Sequence, residues 1–229
     1  MMQDVPPSRL VAWAISRSIW ASHCQLYKDN PLSRSYLFPK LRSEDCIHFG
    51  TTGLIFKDIA LGESARNKIV FPQIIPFMLS PLSALRALMF LLKIARVLRS
   101  KELTHKNAEV LIRAGLEATV TFLNFHPKLK SEQENEEKIL IAVVVKNQDG
   151  FWIVSKTKDL GWFVKYSDSI MASDATLSFS SIQVACESMR GQLDTKVAAG
   201  QGKINLYGNI PLLDKFAYAS NMVLKEINF

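Results

Sequence analysis

Three short apolar runs, separated by tight turns, constrain the fold of this chain more than any other feature. Ile139–Lys146 is rich in β-branched residues, Phe151–Lys156 follows it after four residues, and Trp162–Tyr166 comes after a second short turn. The first turn contains Asp149-Gly150, a pair that favours hairpins. Strands joined by so few residues can pair only with antiparallel neighbours. The sequence therefore predicts a three-stranded meander.

The segments around the meander have helical and strand patterns. Apolar spacing predicts a helix over 104–125, before the meander. After it, the patterns predict a strand at Ala175–Phe179, a helix at Ser180–Met189, a short helix at Asp194–Ala199, a strand at Lys203–Tyr207 and a final helix at Leu212–Ile227. We therefore expect residues 104–229 to form one α+β domain with a five-stranded, mainly antiparallel sheet.

Residues 1–103 are predicted to form a separate, basic N-terminal region. They carry 14 basic and 7 acidic residues, whereas residues 104–229 carry 14 of each, so the formal charge of +7 lies entirely in the first region. A basic segment favours an anionic partner, which is either nucleic acid or the headgroups of a membrane. We expect this region to be a helical extension, because Pro7–Tyr27 also has a helical pattern.

A basic amphipathic helix is predicted near 81–100. Ser80-Pro81 suits a cap and a first turn, and the following apolar residues have helical spacing. The uncharged run Ile69–Leu85 is 17 residues long, but its three prolines argue against a helix that spans a membrane. Such a helix either lies on an anionic membrane surface or packs its apolar side into the core. The basic residues that would dock on a membrane are Arg86, Lys93, Arg96 and Arg99.

The sequence contains no complete catalytic motif. Gly200–Gly202 precedes a predicted strand, whereas a dinucleotide-binding loop precedes a helix. Gly62–Arg66 begins like a nucleophile elbow but lacks the closing glycine. We therefore predict no catalytic residue, no metal, no cofactor and no enzymatic activity. The alternative is an enzyme that uses a metal site in the first region, built from His23, Cys24, Cys46 and His48, although their spacing matches no usual zinc pattern.

Three motifs in the second half, in a fixed order, carry a resemblance to a known family. Ser173–Phe179 is similar to the Ala-Asp-hydrophobic strand of the sterol carrier protein type-2 (SCP2) family, and Met189–Asp194 resembles the Gly-basic-aliphatic turn that follows it. Ala198–Asn209 resembles the next strand and turn of the family. Ser173 and Thr195 depart from the family pattern, which has Ala and Pro at these places. The resemblance covers about 105–229 and is strongest over 173–216.

The SCP2 resemblance implies a sheet with helices over one face that together enclose an apolar tunnel for a lipid. Apolar residues that alternate along the predicted strands, and those on the last helices, suit such a tunnel. The alternative is that the same residues fill an ordinary core. The candidate lipid-binding residues are Ile141, Val143, Val145, Trp152, Leu177, Phe179, Ile182, Met189, Ile204, Leu206, Phe216 and Met222.

Together these features predict a non-catalytic lipid carrier that docks on membrane surfaces. Its ligand would be a sterol, a fatty acyl lipid or an isoprenoid-type lipid. The alternative is an accessory or scaffold factor that presents a lipid intermediate to lipid-metabolising enzymes, as in ubiquinone biosynthesis. Nucleic acid is not expected as a partner, because the half that would offer aromatic residues on a sheet is net neutral. The sequence has only three cysteines, an odd number that does not suit a disulfide framework, and this indicates a reducing compartment such as the cytoplasm. Within it, we expect the protein to be peripheral at a membrane.

Overall fold

The computed structural model describes residues 7–27, 39–42, 46–49, 54–57, 60–62, 70–100, 104–131, 138–169 and 172–227. The elements before residue 104 are α1 (Pro7–Leu26), β1 (Pro39–Arg42), β2 (Cys46–Phe49), β3 (Leu54–Lys57), α2 (Ile74–Leu79) and α3 (Pro81–Arg99). Those that follow are α4 (His105–Phe125), α5 (Pro127–Ser131), β4 (Lys138–Val145), β5 (Phe151–Thr157), β6 (Gly161–Ser167), β7 (Ala175–Phe179), α6 (Ile182–Met189), α7 (Thr195–Gly200), β8 (Ile204–Gly208) and α8 (Ile210–Glu226).

The larger sheet has five strands in the order β6-β5-β4-β7-β8. The predicted meander is confirmed, since β4 pairs antiparallel with β5, and β5 pairs antiparallel with β6. β7 pairs antiparallel with β8 but parallel with β4, with Val143 opposite Leu177. The sheet is therefore mixed, and the predicted α+β class with a mainly antiparallel five-stranded sheet is confirmed.

One face of this sheet and the helices that cover it form the main core. Along β4, Ile139, Ile141, Val143 and Val145 alternate toward that face, and all are 5% exposed or less. Opposite them, α4 buries Ile112, Leu116, Val120 and Leu123, which have the spacing that predicted the helix. Removing each such side chain from water contributes about 1.5–3 kcal/mol. The helix and the meander therefore stabilise each other.

Helix α1 lies along α4 and shares this core. Leu10, Val11 and Ala14 belong to the same buried cluster as the sheet. The Ser18 hydroxyl donates a hydrogen bond to the carbonyl of Ala114 on α4, at 2.8 Å. The first helix of the N-terminal region is thus packed directly on the first helix of the α+β domain.

The N-terminal region is not only helical, which corrects the prediction of a helical extension. β1, β2 and β3 form a small antiparallel sheet in chain order. Its buried residues include Ile47, Phe49, Leu54 and Phe56, which pack with Ala87 and Ile94 of α3. The three strands are only four residues long, and β2 and β3 each bury just two apolar residues, which is too short an alternation to stand out in the sequence.

Candidate functional site

The surface of α2 and α3 leaves an unusual number of large apolar side chains in solvent. Within residues 70–100, all of which are described, nine such side chains are between 48% and 80% exposed: Phe71, Ile74, Ile75, Met78, Leu79, Leu82, Leu85, Met89 and Leu92. We call these residues the apolar face. Single exposed apolar residues are ordinary, but a cluster of this size marks an interaction site. None of the helices in the described residues is both long and apolar enough to cross a membrane.

Helical geometry explains why α3 has two different apolar sides. Leu82, Leu85, Met89 and Leu92 are three or four residues apart, so they form one stripe on the outside of the helix. The opposite side of α3 buries Ala84, Ala87 and Ile94. Small alanines let the helix approach the rest of the molecule closely. The packing of α3 on the rest of the molecule therefore does not involve the outer stripe.

Contacts at both ends hold α2 and α3 in place. The Gln73 amide N–H donates to the carbonyl of Ile55 on β3, at 2.8 Å, just before α2 begins. At the other end, the Arg190 guanidinium donates to the carbonyls of Leu98 and Ser100, at 3.4 and 2.6 Å. A cation there satisfies carbonyls that the end of a helix leaves free. The apolar face is thus presented by anchored helices.

The stretch of sequence that carries the apolar face has charged residues of one sign only. No acidic residue occurs in the sequence between Glu63 and Glu102, whereas seven basic residues do. The four predicted docking residues on α3, Arg86, Lys93, Arg96 and Arg99, are all exposed. The ammonium of Lys93 lies 5.1 Å from the ring centroid of Tyr27, which directly follows α1. Lys93 therefore lies where α3 contacts the end of α1.

The structure brings the twelve predicted lipid-binding residues together in the main core. Eight of them are buried there: Ile141, Val143, Val145, Trp152, Phe179, Met189, Ile204 and Phe216. The other four, Leu177, Ile182, Leu206 and Met222, are partly buried and pack against that cluster. The indole N–H of Trp152 is buried and has no hydrogen-bond partner among the described residues. Whether these residues contact a lipid stays a prediction.

A separate pocket of about 590 Å³ lies between α1, β2, α4 and β6. The described residues that line it include Trp13, Arg17, Phe125, Leu160 and Trp162, and none of the twelve predicted residues is among them. Its walls come from four elements far apart in the sequence. The sequence predicts α1, α4 and β6 but not β2, and none of these elements indicates a pocket by itself.

The predicted alternative metal site does not gather ligands in the described residues. No group of three His, Cys, Asp or Glu side chains suitable for a metal occurs there. His23 is instead buried against the rings of Tyr27 and Phe90, at centroid distances of 4.9 and 5.2 Å. Burial lowers the pKa of His23 to about 4, so it is neutral near pH 7. Burial also raises the pKa of the Cys186 thiol to about 11, which makes it a poor nucleophile.

The two tryptophans of the large sheet do not present open rings to solvent. Trp152 and Trp162 are buried on the core face of β5 and β6, whereas Tyr166 on β6 and Tyr207 on β8 are exposed. Base stacking needs open aromatic faces, so the two tryptophans are unsuited to it.

The solved structures that resemble this chain include SCP2 domains. One is described as the UbiJ-SCP2 ubiquinone synthesis protein, with 20% identity, a TM-score of 0.37, and coverage of 53% of this chain and 96% of that one. Sterol carrier protein domain 2 of Helicoverpa armigera has 19% identity and a TM-score of 0.38, covering 52% of this chain and 92% of that one.

A third similar structure is sterol carrier protein 2 like 2 of Aedes aegypti. It has 20% identity and a TM-score of 0.30, and the alignment covers 47% of this chain and 97% of that one. No protein-family model matches the sequence, and no curated protein matches it. SCP2 domains, which the three sequence motifs resemble, are thus among the solved structures that are similar to this chain.

Proposed function

We propose that this chain is a non-catalytic lipid-binding protein that docks peripherally on anionic membranes through α2 and α3. The observation that carries the proposal is the apolar face, with exposed arginines and a lysine on the same helix and no acidic residue in the sequence between Glu63 and Glu102. A membrane interface offers apolar acyl chains beside anionic headgroups, which matches both properties of this surface. Another protein would have to supply the same combination to fit equally well.

Both parts of the surface contribute to docking. Removing a Leu, Ile or Met side chain from water is worth about 1.5–3 kcal/mol when it becomes fully buried. Each Lys or Arg near an anionic leaflet adds about 1 kcal/mol. We therefore expect insertion of the apolar face to supply most of the binding energy, and the basic residues to select anionic membranes.

The lipid itself would enter the core of the α+β domain where that core is least closed. The four partly buried candidates, Leu177, Ile182, Leu206 and Met222, lie on β7, α6, β8 and α8. Leu177 and Leu206 are direct partners across the two strands. β8 is an edge strand that pairs with β7, and both α6 and α8 pack against β7, so this corner is where we propose that an apolar ligand contacts the chain. Met222 has a flexible side chain that adapts to different shapes.

The membrane part is tested by sedimentation with vesicles that contain phosphatidylserine, at low and high salt. The wild type should bind, and binding should weaken as salt rises. Replacing Arg86, Lys93, Arg96 and Arg99 by Gln should lower partitioning, by about fivefold for each charge removed. The matched control replaces four exposed lysines elsewhere, Lys158, Lys196, Lys203 and Lys225, by Gln and should bind like the wild type.

Two results would overturn this part of the proposal. One is absence of vesicle binding by the wild type. The other is an equal loss of binding in both charge variants, which would mean that net charge alone decides and that α3 has no special part. Loss only in the α3 variant supports docking through this helix.

The lipid part is tested by native mass spectrometry of the purified chain and of lipids extracted from it. A lipid bound in defined stoichiometry is expected. Replacing Leu177 and Leu206 by Asn should reduce the bound fraction, because a polar amide in an apolar site leaves hydrogen-bonding groups without partners. An unchanged lipid load in that variant would contradict the placement at the β8 edge.

A further inference from the structure

The pocket between α1, β2, α4 and β6 has apolar walls even where polar residues line it. The Ser16 hydroxyl donates to the carbonyl of Ala12, and the Thr121 hydroxyl donates to that of Glu117. The side-chain amide of Asn124 is used at both ends, since Nδ2 donates to the Trp162 carbonyl and Oδ1 accepts from the Trp162 N–H. These three side chains therefore have their hydrogen bonds within the protein.

The mouth of the pocket is marked by exposed apolar side chains. Leu160, in the turn before β6, is 73% exposed and still lines the pocket. Phe125, at the end of α4, is 45% exposed and packs edge-on against Trp13, with ring centroids 4.8 Å apart. An opening with an apolar rim and apolar walls favours a ligand with an apolar body.

Arg17 is the charged side chain among the described residues that line the pocket. Its Nη2 donates to Oε2 of Glu117 at 2.9 Å, and its guanidinium lies 4.7 Å from the ring centroid of Trp20. Its Nε and Nη1 have no partner among the described residues. A guanidinium has five N–H donors, and a carboxylate can accept two of them at once.

We propose that this pocket binds a single-chain lipid whose carboxylate is held by Arg17 and whose hydrocarbon lies between Trp13 and Trp162. The proposal rests on the lipid-binding function proposed above and adds a second site, formed jointly by the N-terminal region and the α+β domain. A volume of about 590 Å³ is typical of pockets for one small ligand. The N–H groups of Arg17 that do not bind Glu117 can donate to a fatty-acid carboxylate, and they bind an uncharged head less strongly.

The site is tested by the quenching of tryptophan fluorescence, because two of the four tryptophans line the pocket. Dibromostearate is the probe, and dibromostearyl alcohol is its uncharged counterpart with the same chain. We expect saturable quenching by the acid and an affinity lower by about tenfold or more for the alcohol, since the alcohol loses a charge-assisted hydrogen bond.

Two exposed leucines provide the matched variants. Leu160→Asp puts a carboxylate at the mouth of the pocket and should weaken dibromostearate binding by about tenfold or more. Leu82→Asp puts the same group on the apolar face and should leave this binding unchanged while it reduces vesicle docking. The double variant Arg17→Gln/Glu117→Gln leaves no unpaired carboxylate and should bind the acid and the alcohol equally.

The outcomes separate this site from the docking function. Dibromostearate binding without vesicle docking would overturn the membrane proposal and keep the pocket. Vesicle docking without saturable quenching would overturn the pocket and keep the docking. Unchanged affinity in Leu160→Asp, or equal wild-type affinity for the acid and the alcohol, would refute the site or the role of Arg17 in it. Circular dichroism confirms that each variant is folded.

Discussion

Two apolar segments of the chain, β4 and the α2–α3 pair, differ in what covers them. In β4 the side chains that face the helices are 5% exposed or less. In α2 and α3, side chains of the same types stay in solvent, and Leu79 and Leu82 are 80% and 78% exposed. The side chains of β4 are covered by helices of the same molecule. In α3, only the side that carries Ala84, Ala87 and Ile94 is covered.

This difference decides what each segment does. Covered apolar area contributes to the free energy of unfolding, so substitutions in β4 and its neighbours should change stability. Exposed apolar area contributes nothing to the free energy of unfolding. It becomes stabilising only when a partner covers it. Composition alone does not show which of the two is covered, because both segments are rich in apolar residues.

The largest effect should come from the covered side. Phe179→Ala removes a ring that is 1% exposed and should lower the free energy of unfolding by about 3–5 kcal/mol in urea denaturation. Leu82→Ala, on the apolar face, should change it by about 0.5 kcal/mol or less. A small effect of Phe179→Ala would mean that the ring lines open space, as the predicted tunnel requires.

The next effect comes from His23, at the seam between α1 and α3. Its pKa is lowered from 6.5 to about 4 by burial, so between these values the unfolded chain binds more protons than the folded chain. The stability that this histidine contributes is therefore present above pH 6.5 and is lost as the pH falls toward 4. The loss should be about 3 kcal/mol.

The measurement is the free energy of unfolding against pH for the wild type and for His23→Leu. The variant should lose less stability on acidification. His105→Gln, which changes an exposed histidine, is the control and should follow the wild type. Parallel curves for the wild type and His23→Leu would show that this burial does not control the seam.

A smaller effect is expected at the joint between the two regions. Arg190→Gln removes the bonds to the carbonyls of Leu98 and Ser100 and should lower the free energy of unfolding by about 1–2 kcal/mol. Amide hydrogen exchange in the last turn of α3 should accelerate, while exchange in β4 should not. Lys196→Gln, on an exposed surface, is the control. Equal hydrogen exchange in the wild type and Arg190→Gln would show that α3 is held only by the packing of its buried side, which carries Ala84, Ala87 and Ile94.

Most of the α+β half could be predicted because its elements are long and regular. The predicted strand Ala175–Phe179 has the observed bounds, and the final helix begins two residues earlier and ends one residue earlier than predicted. The sequence does not predict the short helix α5, because lysines around Leu129 hide the single apolar residue that it buries.

The parts that escaped prediction depend on contacts between distant segments. The small sheet of β1, β2 and β3 is stabilised by α1, which precedes it, and by α3, which follows it only after α2. The pocket near Arg17 is likewise formed by elements that are distant from one another in the sequence. For the apolar face, spacing identified the helix and the arginines, but only the structure shows which apolar side of α3 is covered and which is not.

The most direct test is to measure whether the apolar face enters the membrane. An NBD fluorophore is attached at Leu82→Cys or at Val197→Cys, an exposed position on α7, in a chain that carries Cys24→Ser and Cys46→Ser. Vesicles contain phosphatidylserine and lipids with a nitroxide on the acyl chain. Docking through α2 and α3 predicts a blue shift and quenching at position 82 and neither at position 197. The same response at both positions, or no response at position 82, would contradict it.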